Sequence, residues 1–322
     1  MRVILFLLFV LLSFGSNAEW FSEQQDAMGT RISVTVWYDD DLVAKQAIAE
    51  VMAEMQRIDQ TYSPYIETSE LSQLNKEAAR SPQAVSAEMA LLLSTAYRVS
   101  ELTQGAFDIT FASVGHLYDY RKQQQPSDVE RKQKQAAIDY RWVILKEGKV
   151  SFKHPDVVID LGGIAKGYAA DQAIAILQKN GISHASFSAG GDSRLLGDRR
   201  GRPWLVGIEN PRQQDAIAIT LPLDNTAVST SGDYERFFID QQTGERVHHI
   251  INPKSGASAK GISSVTILGD KGLQTDPLST SVFVMGVTKG LSLVNRLSGI
   301  EAIIIDSKGA VHYSDGLSSP SN

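Results

Sequence analysis

Four short clusters in the chain combine residue types that can do chemistry. The first is Asp108 in GAFDITFASVGHLYDYR, set among Phe107, Phe111, His116, Tyr118 and Tyr120. Aromatics at that density belong to a core, and a carboxylate among them needs a partner. The second is VVIDLGGIAKGYAAD, from Val157 to Asp171. A glycine turn opening a helix brings bare N–H groups and a positive helix end to one point, which suits a phosphate. Lys166, in the first turn, opposes the helix dipole and so calls for an anion, while Asp160 can accept hydrogen bonds or help hold a metal. The spacing is neither a Walker loop nor G-x-G-x-x-G, and Gly-Gly between a strand and a helix is usually just a turn. The third is His248-His249, ahead of Asn252-Pro253. Neighbouring side chains on extended backbone point opposite ways, so one ring can face a site and act as a base near its ordinary pKa of about 6.5. The fourth is Asp276 with Ser279 and Thr280. A carboxylate and a hydroxyl at i and i+4 share a helix face and suit a hard cation, although locally Asp276 reads first as an N-cap.

The elements that must position these clusters follow from periodicity. Val157, Val158 and Ile159 predict a strand, and Ile164, Ala165, Tyr168, Ala169, Ala173, Ile174 and Leu177 predict a helix that stops at Gly181. After Met28-Gly29-Thr30, the alternation of Ile32, Val34 and Val36 predicts a half-buried strand. Asp40 or Asp41 caps a helix running to about Asp59, with Ala47, Ile48, Val51, Met52 and Met55 on its apolar face. Pro64 breaks the structure and Ser69-Glu70-Leu71 restarts it. Ser86–Leu102 is a second amphipathic helix, ended by Gly105. Lys122 to Gln135 is polar and exposed, and WVILKEGKVSFK is a hairpin around Glu147-Gly148. A strand at Ala185–Ser188 runs into a second glycine turn, Ala189-Gly190-Gly191-Asp192. The last third holds further strands and hairpins, with a helix in TDPLSTSVFVMG. Strands and helices mix without strict alternation, and neither a repeat nor a linker interrupts them, so the class is α+β in a single domain.

The chain has 322 residues and no cysteine, which excludes disulfides and thiol nucleophiles. It opens MRVILFLLFVLLSFGSNAEW. One positive residue, a short apolar run and small residues at Ser16-Asn17-Ala18 predict a secretory signal peptide cleaved after Ala18. Residues 19–322 then form one exported domain without a lipid anchor or an integral membrane segment. The formal charge is −6, and −7 once Arg2 is removed, which speaks against a general nucleic-acid binder.

Taken together and in this order, the motifs resemble the ApbE family of FAD:protein FMN transferases. The matching stretches are MGT, TYSP…SELSQLN, GAFDIT, DLGGIAKGYAAD, SAGGD, WLVGIENPR, STSGDYERFF, HHIINPKSG and TDPLSTSVFVMG, covering essentially the whole mature chain. The resemblance implies a T-fold-like domain of mixed sheets with flanking helices. It implies an enzyme that binds FAD and Mg²⁺ and transfers the FMN half to a threonine or serine hydroxyl of a partner protein, releasing AMP. Acceptors in the family include subunits of membrane redox complexes on the outer side of the inner membrane, placing the enzyme in the periplasm. By family position, Met28, Tyr62, Ala106, Phe107, Asp108, Asp160, Lys166 and Ile250 meet the flavin and its phosphates. The carbonyl of Gly163 and the side chains of Asp276 and Thr280 hold Mg²⁺, and His249 is the base. Three features depart from the family pattern. Asn252 stands where Asp is common, YIET lengthens the segment after Pro64 so that Tyr65 rivals Tyr62, and the lipobox cysteine is absent.

Two other readings use the same residues: a periplasmic FAD pyrophosphatase, with water replacing the acceptor hydroxyl, and a flavin-binding protein without catalysis. Product analysis with and without an acceptor separates them.

Overall fold

Ile32, Val34 and Val36 are fully buried on strand β2 (Thr30–Tyr38). It pairs antiparallel with β1 (Glu19–Ala27) through a two-residue turn, Met28-Gly29, whose φ angles are 55° and 70°. That is the turn whose twist matches its strands; a methionine adopts the first position only under local strain. The remaining strands of this sheet are β3 (His184–Ala189), β4 (Asp192–Leu196), β5 (Ala227–Gly232), β6 (Ile262–Gly269), β7 (Glu301–Asp306) and β8 (Val311–Tyr313). The eight strands lie side by side in chain order, every neighbour antiparallel. The computed structural model describes residues 18–318, so residues 1–17 of the predicted leader lie outside them.

Helices occupy the long connections. Between β2 and β3 come α1 (Asp41–Tyr62), α2 (Glu70–Glu77), α3 (Ala87–Leu102) and α4 (Ala165–Lys179); between β6 and β7 comes α5 (Gly272–Val294). The Asp40 carboxylate caps α1, and Ser69 and Ser86 cap α2 and α3. Helix α1 runs past the expected end at Asp59, because its stop is Ser63, held extended (ψ 127°) ahead of Pro64. One apolar core lies between these helices and the β2–β3 half of the sheet, around Ile48, Met55, Leu92, Ile164 and Phe187. A second, around Val265, Val282, Phe283 and Ile304, lies under α5.

Two local expectations change. Val157–Ile159 forms no strand. The Asn75 side chain bonds both the N–H and the C=O of Ile159, at 2.8 and 2.9 Å, and Ser113 Oγ accepts from the Val158 N–H at 2.9 Å. Side chains thus satisfy backbone groups that a neighbouring strand would otherwise take. Nor is Asp276 an N-cap. The first N–H groups of α5, those of Gly272 and Leu273, donate to the Asp171 carboxylate of α4 at 2.8 and 3.0 Å. Asp276 is left one turn inside the helix, free for another role.

Candidate active site

The N-terminal turn of α4 packs against α5 at closest range where Gly167 meets Gly272: a Cβ on Gly167 would stand 2.1 Å from the Gly272 carbonyl oxygen. This approach lets the Gly167 N–H donate to Asp276 Oδ2 at 2.9 Å. Asp276 is buried, and burial together with the neighbouring Asp192 pushes its pKa up to about 7, against the pull of Lys166. Lys166, on the same turn of α4, forms an ion pair with Asp192, the residue that follows the second glycine turn. Burial works to discharge Lys166, but Asp192 and Asp276 outweigh it and hold the ammonium charged, its pKa above the ordinary lysine value.

Hydroxyls gather beside the carboxylates. Ser231, on β5, lies 2.7 Å from Ser279 Oγ and 3.2 Å from Thr280 Oγ1. A Cβ on Gly163 would meet the Phe107 ring at 3.2 Å and Thr280 Oγ1 at 3.5 Å, so the first glycine turn closes over Thr280 and under Phe107. Gly163, Asp276 and Thr280 therefore adjoin one another, from segments more than a hundred residues apart.

His248 and His249 divide as their spacing predicts. His248 is core: its ring contacts Phe283 edge-on, Nε2 donates to the Ala259 carbonyl at 2.8 Å and Nδ1 accepts the Ile250 N–H at 3.3 Å. Those two bonds require the neutral ring with its proton on Nε2. His249 follows the short strand Arg246–His248, its N–H held by the Arg236 carbonyl at 3.1 Å. Its Nδ1 is buried without a hydrogen-bond partner among the described residues. Burial pushes its pKa down to about 3, with Arg236, His248 and Lys166 adding to the effect. The ring is therefore neutral well below the ordinary value of about 6.5 expected from sequence.

Arg236 joins the remaining parts. Its guanidinium reaches the Gly29 carbonyl at 3.5 Å, tying the site to the Met28-Gly29 turn. It also acts on Asp160, whose pKa is raised by burial and held back by the Gly162 N–H, at 2.6 Å, and by Arg236. Ile250 is buried directly after His249.

Two of the residues expected at the flavin, Asp108 and Tyr62, have protein partners of their own. The Asp108 carboxylate accepts from the Thr110 N–H and Oγ1, at 2.9 and 2.6 Å, and from the Tyr140 N–H at 2.8 Å. Burial nonetheless raises its pKa to about 6. It pins its own loop, in which Phe107 packs toward Gly163. Tyr62 is buried, and its hydroxyl donates to Glu88 at 2.6 Å in a network with Tyr168 and the Arg57 guanidinium. Tyr168 and Lys166 are two residues apart on α4 and point to different sides. Tyr65 is 85 % exposed and within electrostatic reach of Tyr120, which also feels Arg236. The sequence signals for Asp192 (SAGGD) and for Arg236 with Glu235 (STSGDYERFF) were present, but nothing local tells which polar residue of a motif turns inward.

The model of the ApbE family matches residues 28–304. The chain belongs to the ApbE family. It is 30% identical over 284 residues to the FAD:protein FMN transferase of Haemophilus influenzae, covering 84% of this chain and 82% of that protein. With the FAD:protein FMN transferase of Escherichia coli K12 the identity is 28% over 271 residues, covering 81% and 76%. Among solved structures, the ApbE protein of Thermotoga maritima superposes with a TM-score of 0.86 at 32% identity, covering 93% of this chain and 98% of that one. The flavin transferase ApbE of Vibrio cholerae gives 0.83 at 28%, with the same coverage. These ApbE structures share the single mixed α/β domain found here.

Proposed function

We propose that this ApbE-family enzyme is an FAD:protein FMN transferase that uses Mg²⁺ to move the FMN moiety of FAD onto a threonine or serine hydroxyl of a partner protein. The acceptor oxygen bonds to the FMN phosphorus as the phosphorus–oxygen bond to AMP breaks, giving a phosphodiester and free AMP. The observation that carries the reading is the convergence of Lys166, Asp276, Thr280 and the glycine turn at the start of α4, beside the unpartnered Nδ1 of His249.

The donor set fits a hard cation. Asp276 is a buried carboxylate one helical turn before Thr280, whose hydroxyl lies 3.2 Å from that of Ser231. Oxygen ligands suit Mg²⁺, which Asp276, Thr280 and the Gly163 carbonyl would hold. When bound, Mg²⁺ supplies charge neutralisation at the diphosphate. The chain's own groups do the rest. Lys166 and the N–H groups at the start of α4 bind diphosphate oxygens. Met28, Ala106, Phe107, Asp160 and Ile250 line the flavin side, and Asp108 holds that loop in place. His249 Nδ1 takes the proton of the acceptor hydroxyl; the diphosphate's negative charge beside it raises its basicity in the complex.

The leader MRVILFLLFVLLSFGSNA supports export to the periplasm, cleavage after Ala18 and acceptors among subunits of membrane redox complexes. The test is incubation of residues 19–322 with FAD, Mg²⁺ and a membrane fraction, followed by flavin fluorescence on a denaturing gel. A fluorescent protein band that requires Mg²⁺, with AMP released in step, is expected. FMN and AMP without a labelled band would instead make the enzyme a hydrolase, and FAD binding without turnover would make it a carrier.

A further inference from the structure

The second glycine turn ends in a carboxylate for which the proposed reaction has no assigned task. Asp192 is 2% exposed, and its Oδ1 is buried with no hydrogen-bond partner among the described residues. A half-satisfied buried carboxylate costs stability, so its retention calls for a role. The backbone places it with little freedom. Ala189 and Asp192 face each other across the Gly190-Gly191 turn, and Asp192 also pairs with Ser229 of β5. A Cβ on Gly191 would stand 2.5 Å from the Thr230 carbonyl oxygen, so only glycine lets the turn seat this closely.

Across from it stands Lys166, whose side chain is 28% exposed against 2% for Asp192. The pair is thus open at the ammonium end and closed at the carboxylate end. Asp192 Oδ2 is the sole hydrogen-bond partner of Lys166 Nζ among the described residues. An ammonium has three donors, so two remain for an incoming ligand. A lysine on a four-carbon stem has no preferred direction of its own; a fixed counter-charge behind it supplies one.

We propose that Asp192 is the positioning residue of the site. It stands behind Lys166, touches no substrate, and holds the ammonium at the start of α4 with two N–H donors aimed at diphosphate oxygens. This rests on the reading of Lys166 as a diphosphate ligand.

The test is a double-mutant cycle on FAD affinity, read by flavin fluorescence titration of the full mature chain with Lys166→Met, Asp192→Asn and the double variant. Lys166→Met is expected to weaken FAD binding about 10-fold or more, as for a lost charge-assisted hydrogen bond. Asp192→Asn, which keeps the shape and removes the charge, is expected to weaken it by a comparable factor, and the double variant no further than Lys166→Met. Should Asp192→Asn not fold, Asp192→Ser is read in its place, with circular dichroism checking both. If Asp192→Asn leaves FAD affinity intact, or adds its full effect on top of Lys166→Met, the positioning role is overturned while Lys166 stands. If Lys166→Met itself binds FAD normally, the diphosphate reading falls and the positioning role with it.

Discussion

The backbone N–H of Gly167 donates to Asp276 Oδ2 at 2.9 Å, so one helix holds the carboxylate of another through its main chain. That bond exists because α4 and α5 approach until a Cβ on Gly167 would lie 2.1 Å from the Gly272 carbonyl oxygen and 2.6 Å from Asp276 Cβ. Gly167→Ala must therefore push the helices apart. Overpacking of this kind costs about 1–3 kcal/mol, read by urea unfolding, and Mn²⁺ affinity should drop with it. An alanine variant of normal stability and metal affinity would show that the contact is loose.

Asp276 should make stability depend on pH in a sense set by its raised pKa. Its carboxyl titrates near 7 in the fold, against about 3.9 in an unfolded chain. Between those values the folded state holds a proton that the unfolded state has released. The contribution is therefore full below about pH 4 and is lost as pH rises through 7. A bound cation favours the carboxylate, so the rise in melting temperature on adding Mg²⁺ should grow from pH 5 to pH 8 in the wild type and stay small in Asp276→Asn. Equal Mg²⁺ shifts in the two proteins would remove Asp276 from the ligand set.

The two histidines should separate cleanly. His249→Ala is expected to cut transfer by roughly 10²–10⁴ with FAD still bound, the range for a lost general base. His248→Ala loses its bond to the Ala259 carbonyl and its contact with Phe283, and should instead lower stability by about 1–3 kcal/mol. Because the His249 pKa lies at about 3 in the free enzyme, kcat/KM should show no inflection from it between pH 5 and 8. An inflection near pH 6.5 that vanishes in His249→Ala would contradict the buried, neutral ring.

Tyr62 and Tyr65 should also part. Tyr62→Phe removes a hydrogen bond to the Glu88 carboxylate and should cost about 1.5–3 kcal/mol of stability while FAD affinity holds. Tyr65→Ala takes an exposed ring from the Tyr120 side of the site and should weaken FAD binding roughly 3–10-fold, as for one aromatic contact, with stability unchanged. The reverse pattern in fluorescence titration and thermal melts would restore Tyr62 to the flavin.

Much of this protein was legible residue by residue, because the determining interactions are local. Alternation at Ile32, Val34 and Val36 marks a strand since side chains on extended backbone face two ways, and Asp40, Ser69 and Ser86 cap helices within three residues of themselves. The glycine turn before α4, the opposed histidines and the order of motifs belong to the same class. Tertiary structure alone decided the partners. Asn75 and Ser113 supply the bonds that Val157–Ile159 would otherwise seek from a strand, and Asp171 caps a helix 101 residues away. Asp192 on the sheet finds Lys166 on α4, Arg236 links Gly29 to His249, and Tyr62 turns to Glu88. Propensity, turn chemistry and periodicity act over a few residues of chain. Charge pairing and burial act over a few ångströms of space, and which residues share that space is set only once the helices have packed on the sheet.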